Sequence, residues 1–189
     1  MGLLAFLRRK APAARPRAGA SKPAGTAKAR NRILAALVAG SVTTGVATQA
    51  VNFTGPNEGL KLVAYKDRLA RDLPTVCYGE TRGVQLGMRF TKAECDAMLV
   101  KALGEFADTS VERCIKAPIS DEAYVAFLDL AYNIGSGAFC KSTVVKRWNA
   151  GDKAGACDAV LAFNRSGGQV RKGLILRRQR ERALCLKGI

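Results

Sequence analysis

The sequence contains no histidine, so the commonest general base and metal ligand is missing. Its six cysteines, Cys77, Cys95, Cys114, Cys140, Cys157 and Cys185, include no CxxC pair. A zinc site would have to gather four thiolates from scattered positions, so neither a metal nor an organic cofactor is expected. No cysteine precedes Cys77. An even set confined to one part of a chain reads as disulfides of an exported domain, with buried thiols of a cytosolic protein as the alternative. Six cysteines allow roughly fifteen pairings, and spacing does not choose among them. Residues 1–32 contain no acid, and no charge lies between Arg32 and Glu58. Aromatic residues make up only 6%, with a single tryptophan, Trp148, expected to be buried.

What is present is positive charge, unevenly spread. The net charge is +16, and nine Lys/Arg (Arg8, Arg9, Lys10, Arg15, Arg17, Lys22, Lys28, Arg30, Arg32) fall in residues 1–32. This Pro/Ala-rich tail should not fold alone. Beside an apolar stretch it marks the cytoplasmic side of a membrane segment, and a nucleic-acid partner is not expected. Residues 33–51, ILAALVAGSVTTGVATQAV, are long enough to span a bilayer. They are poorly apolar, with Ala, Gly, Ser and Thr filling the spaces between Ile33, Leu34, Leu37, Val38, Val42, Val46 and Val51. A cleaved signal peptide, a permanent anchor, and a signal-anchor that inserts and later escapes all fit. In each, the part from Asn52 onward faces the periplasm. The 189 residues leave room for one ordinary domain after this segment.

Residues 57–81, NEGLKLVAYKDRLARDLPTVCYGET, hold two carboxylates, Glu58 and Asp67, set apart by a short loop. Glycosidic hydrolysis needs such a pair: one group protonates the leaving oxygen while the other stays ionised. Their environments must then hold their pKa values apart. Thr75-Val76-Cys77-Tyr78 reads as a strand, and residues 65–78 as a β-hairpin with Asp67 near its turn. A helix is expected to continue or restart in residues 52–62 and end near Gly59, with Pro56 in its first turn or at a kink. Thr91-Lys92-Ala93-Glu94 is a capping box. Ser120, Ser142 and Asp152 open further helices, the last running through Phe163 to Gly167-Gly168.

These motifs resemble the phage-type lysozymes, the endolysins that cut peptidoglycan. The resemblance rests on Glu58-Gly59-Leu60, Ala64-Tyr65-Lys66-Asp67, Thr75 to Gly79, Tyr132-Asn133-Ile134-Gly135 and Gly173-Leu174-Ile175-Leu176-Arg177-Arg178-Gln179-Arg180-Glu181, and covers about residues 55–187. It implies a mainly helical α+β fold of two lobes, a small β-hairpin lobe and a larger helical one. It implies a monomeric hydrolase of the bond between N-acetylmuramic acid and N-acetylglucosamine, with Glu58 as acid, Asp67 ionised and Thr75 placing the attacking water. Tyr132, Asn133 and Ser142 are expected to touch sugar, and Arg177 or Arg178 to orient Glu58. Such an arginine favours the ionised glutamate, which burial must outweigh. Seven residues separate Asp67 from Thr75 where the family pattern has five, which admits Asp72 as a rival; Asp67 keeps the Tyr-x-Asp spacing. The resemblance extends to endolysins of the signal-arrest-release kind, held inactive on the inner membrane by a Gly/Ala/Ser/Thr-rich segment. The expected layout is a basic tail, 1–32, a signal-anchor, 33–51, and a catalytic domain, 52–189. A wall-binding module without catalysis, a nucleic-acid binder and a lytic transglycosylase are the rival readings.

Overall fold

The first long helix delivers the glutamate. In the computed structural model, which describes residues 32–33, 45–68 and 71–189, α1 spans Gly45–Glu58. Its buried residues are Ala47, Ala50, Val51, Thr54, Gly55 and Glu58, a single face at helical spacing. Of the two courses expected at Asn52, the helix continues rather than restarts, and it runs unbroken from Gly45. Pro56 lies in the last turn rather than the first, where only one ladder hydrogen bond is lost before the helix stops. Gly59, at φ 75°, supplies the left-handed residue that ends it. Residues 34–44 of the expected signal-anchor lie outside the described residues. Among the described residues no helix is long and apolar enough to cross a membrane.

Strand β1 (Lys61–Asp67) pairs antiparallel with β2 (Leu73–Cys77), placing Asp67 opposite Leu73 and Tyr65 opposite Thr75. The longer connection is accommodated by Arg71 and Asp72, both left-handed at φ 59° and 60°, and by Asp72 N–H donating to the Asp67 carbonyl at 2.8 Å. Three ties hold the end of β2 and the residue after it to the helices. Cys77 is disulfide-bonded to Cys95 near the start of α2 (Lys92–Thr109). The Tyr78 hydroxyl donates to Asp96 Oδ1 at 2.8 Å. The Tyr78 ring lies against Gly55 of α1, where an added Cβ would come within 3.1 Å of it. Thr91 and Glu94 form the reciprocal capping box of α2.

The larger lobe is helical. It comprises α3 (Val111–Cys114), α4 (Asp121–Ile134), α5 (Ser136–Lys141), α6 (Thr143–Asn149), α7 (Lys153–Ala159) and α8 (Lys172–Lys187). Ser120, Ser142 and Asp152 cap α4, α6 and α7 with their side chains. In α4 every residue from Ala123 to Ala131 is buried, the pattern of a helix surrounded on all sides; it packs against α1, α2 and α8. Trp148 is fully buried, edge-on to Phe127 at 5.0 Å. The helix expected to reach Gly167-Gly168 stops earlier. After α7 a 3-10 turn covers Val160–Ala162, and a second hairpin, β3 (Arg165–Ser166) and β4 (Gln169–Val170), turns at Gly167 and Gly168. Both glycines have positive φ, 59° and 78°, which suits a two-residue hairpin turn. Cys114–Cys140 and Cys157–Cys185 staple this lobe. Arg32 donates to Asp121 Oδ1 at 2.6 Å and to the Ile119 carbonyl at 3.0 Å, and Ile33 beside it is fully buried.

Candidate active site

Glu58 leaves the end of α1 with its side chain 1% exposed. From α8, Arg177 Nη2 donates to Glu58 Oε1 at 3.1 Å. Of the two arginines expected to reach the glutamate, Arg177 does so. Arg178 turns to Glu181, with Nη2 2.7 Å from Oε1, and donates to Asn133 Oδ1 at 3.1 Å. Arg177 is also gripped from α4. Its Nε donates to Asp129 Oδ2 at 2.9 Å and its Nη2 to Asp129 Oδ1 at 2.8 Å and to the Asp129 carbonyl at 3.3 Å.

Three carboxyls, Glu58, Asp129 and Glu181, thus meet two guanidiniums in the interior. Charge this deep is tolerated only when paired. Burial alone would push the Asp129 carboxyl up, but the adjoining Arg177 charge and the hydrogen bonds from Glu181, Arg177 and Thr54 together outweigh it and hold Asp129 below the usual carboxylate range. Burial and the nearby Asp129 charge raise Glu181 well above that range, and Arg178 opposes them only in part. Three acids against two cations leave a net negative charge that favours protonation within the cluster, and burial raises Glu181.

The signs give opposite pH limbs. Asp129 has a lowered folded pKa, so its contribution to stability is present above its unfolded value and is lost as pH falls. Glu181 has a raised one, so its contribution is complete below its unfolded value and is lost as pH rises toward the folded value. We expect Glu181→Gln to remove the alkaline part. Thermal melts of the parent should fall by about 5 °C more than those of the variant between pH 5 and pH 9. Parallel curves would exclude a protonated Glu181.

On the hairpin, Thr75 is buried and its Oγ1 donates to the Leu73 carbonyl at 3.1 Å; the oxygen lone pairs can still accept. Asp67 is half-buried at the end of β1, with the Tyr65 hydroxyl 3.5 Å from Oδ2. Asp72 is exposed and 3.9 Å from Lys66 Nζ. The expected sugar contacts have structural partners. Asn133 is buried on Arg178, and Ser142 Oγ accepts the Val145 N–H at 3.3 Å as the α6 cap. Tyr132 is half-buried, edge-on to Phe106 at 4.8 Å. Asp129 and Glu181 were not anticipated. The signal for Asp129 was an acid inside the apolar run Val125 to Ala131; that for Glu181 was its place three residues after Arg178.

A helix-borne, buried glutamate beside a small hairpin with its own aspartate and threonine defines the class, a two-lobed glycoside hydrolase of the lysozyme type. The phage lysozyme family model matches residues 56–181, and the chain belongs to that family. It is 38% identical over 165 residues to the SAR-endolysin of Enterobacteria phage P21, covering 84% of this chain and 96% of that one. Among solved structures, a mutant of P22 lysozyme superposes with a TM-score of 0.68 at 32% identity, over 74% of this chain and 96% of that one. The endolysin from Escherichia coli O157:H7 phage FAHEc1 does so with a TM-score of 0.66 at 30% identity, over 76% and 94%.

Proposed function

We propose that this is an endolysin whose substrate is the β-1,4 bond between N-acetylmuramic acid and N-acetylglucosamine in peptidoglycan, and that its action lyses the host cell. The observation that carries the reading is Glu58, enclosed at the end of α1 against Arg177. Such a site can keep a carboxyl proton and hand it to the leaving oxygen. Asp67 is the ionised partner and Thr75 accepts from the water that attacks. Tyr132, Asn133 and Ser142 are the residues proposed to contact sugar from the helical lobe.

The layout is a basic tail, 1–32, that holds the N-terminus in the cytoplasm, an anchor within 33–51, and an enzyme that works in the periplasm. The names of relatives such as the SAR-endolysin of phage P21 support the anchor. So does α1. Ala47, Ala50 and Val51 belong both to the anchor stretch and to the enzyme's core, so they cannot lie in a bilayer while the enzyme is folded as described. That favours release over permanent anchorage.

The test is clearing of outer-membrane-permeabilised Gram-negative cells together with product analysis. New reducing ends at muramic acid support a hydrolase; anhydro sugar ends would assign a transglycosylase instead. Within it, Asp67→Asn is expected to lower the rate roughly a hundredfold, while Asp72→Asn, exposed beside Lys66, stays within about twofold, an exposed pair being worth little. The reverse result would move the role to Asp72.

A further inference from the structure

Arg177 could hold Glu58 by both arms of its guanidinium, and the structure prevents it. The Nε and one Nη2 hydrogen of Arg177 are directed at the two oxygens of Asp129, at 2.9 and 2.8 Å. A paired grip of this kind fixes the plane of the guanidinium. The Asp129 carbonyl adds a third contact on the same Nη2 at 3.3 Å. Arg177 is left with a single N–H contact to Glu58, at 3.1 Å, from a nitrogen that Glu58 shares with Asp129. Asp129 is itself immobile: it is fully buried in the middle of α4, and Asn57 Nδ2 approaches its Oδ2 at 3.3 Å from the position before Glu58.

We propose that Asp129 is a positioning residue for the glycosidic reaction. By taking Arg177 side-on it limits that arginine to one shared contact with Glu58 and offsets its charge, leaving the glutamate able to hold the proton it must donate. The inference rests on the reading of Glu58 as the acid. Other groups also act on Glu58. Arg178 and Glu181 lie behind Arg177 on α8, Arg180 reaches Asn57, and Asp67 lies on the hairpin. None of these grips both inner donors of Arg177.

The test compares the full-length parent with Asp129→Asn and Arg177→Gln on soluble glycan strands, with kcat and KM resolved across pH and with thermal melts to certify folding. In Asp129→Asn the charge of Arg177 is no longer offset and favours ionised Glu58. The alkaline limb, where the acid loses its proton, should move to lower pH by roughly one to two units. At pH 7 kcat should fall roughly tenfold to a hundredfold, with KM within about threefold. In Arg177→Gln the cation is gone, and the same limb should move to higher pH. Opposite shifts support the proposal. A limb that stays fixed in a folded Asp129→Asn, or moves the same way in both variants, overturns it, because a merely structural role lowers the rate equally at every pH. If Asp129→Asn does not fold, Arg177→Gln decides: an upward shift supports the proposal and no shift overturns it. A fully active Glu58→Gln would instead remove the underlying assignment, a distinct outcome.

Discussion

Glu58→Gln is expected to abolish wall lysis, lowering the rate by roughly a thousandfold or more, while leaving the melting temperature nearly unchanged. The exchange keeps the shape of the side chain and an oxygen for the Arg177 Nη2 that now sits 3.1 Å away, so α1 still docks on α8. What is lost is the only chemical property the acid role needs, a proton that can be given and recovered. The amide cannot protonate a leaving oxygen, and no other group takes over: the chain has no histidine, Asp129 is held ionised, and Glu181 is fully buried behind Arg177. The measurement is turbidity loss of permeabilised cells, with parent and variant matched by thermal melt. A variant that clears the cells like its parent would leave a non-catalytic wall-binding module as the better account.

Reduction of the disulfides is expected to have the next largest effect. The bridges Cys77–Cys95, Cys114–Cys140 and Cys157–Cys185 close loops of 18, 26 and 28 residues. Each restricts the unfolded chain by about 3 kcal/mol on the loop-entropy account. Together they equal most of the net stability usual for a domain, so the fully reduced protein should melt roughly 30 °C lower. The bridges should differ in what their loss does to activity. Cys157–Cys185 joins α7 to α8 at the end away from Arg177, so its removal should act on stability alone. Cys77–Cys95 anchors β2 two residues beyond Thr75. Replacing that pair with serines should lower the rate at temperatures where the fold is still intact, through loss of the fixed position of Thr75 and Asp67. Equal rates at such a temperature would show that Tyr78 on Gly55 and Asp96, with the backbone hydrogen bonds of β1 to residues 87–90, holds the hairpin without the bridge.

Helix caps and the hairpin were legible because they are local. Ser120, Ser142, Asp152 and the Thr91–Glu94 box each act within one turn of chain. The glutamate and its arginine were legible only through the resemblance, since Glu58 and Arg177 are 119 residues apart and no spacing rule links them. Asp129 was illegible for a related reason. An acid among aliphatic residues announces that something must neutralise it, but not what, and its partner arrives from the last helix. The pairing of cysteines is a matter of tertiary contact, and it came with the fold. The misread helix end near Gly167 was a conflict between two local signals. Ala156, Val160 and Phe163, apolar at helical spacing, suggest continuation to Phe163, while the double glycine encodes a hairpin turn.

The Ala-rich face of α1 has a consequence for how this sequence can vary. Ala47 and Ala50 are 0% and 1% exposed, close against their neighbours, and larger side chains there would overpack the interior. If the same stretch also partitions into lipid, each of these sites answers to two solvents. Leucine would strengthen insertion and harm the enzyme; serine would spare neither. The low apolarity of the stretch is then a compromise imposed from the folded side. Variation that tunes the time of lysis should collect on positions of α1 that face outward, such as Thr48 and Asn52, where hydropathy can change without touching the core.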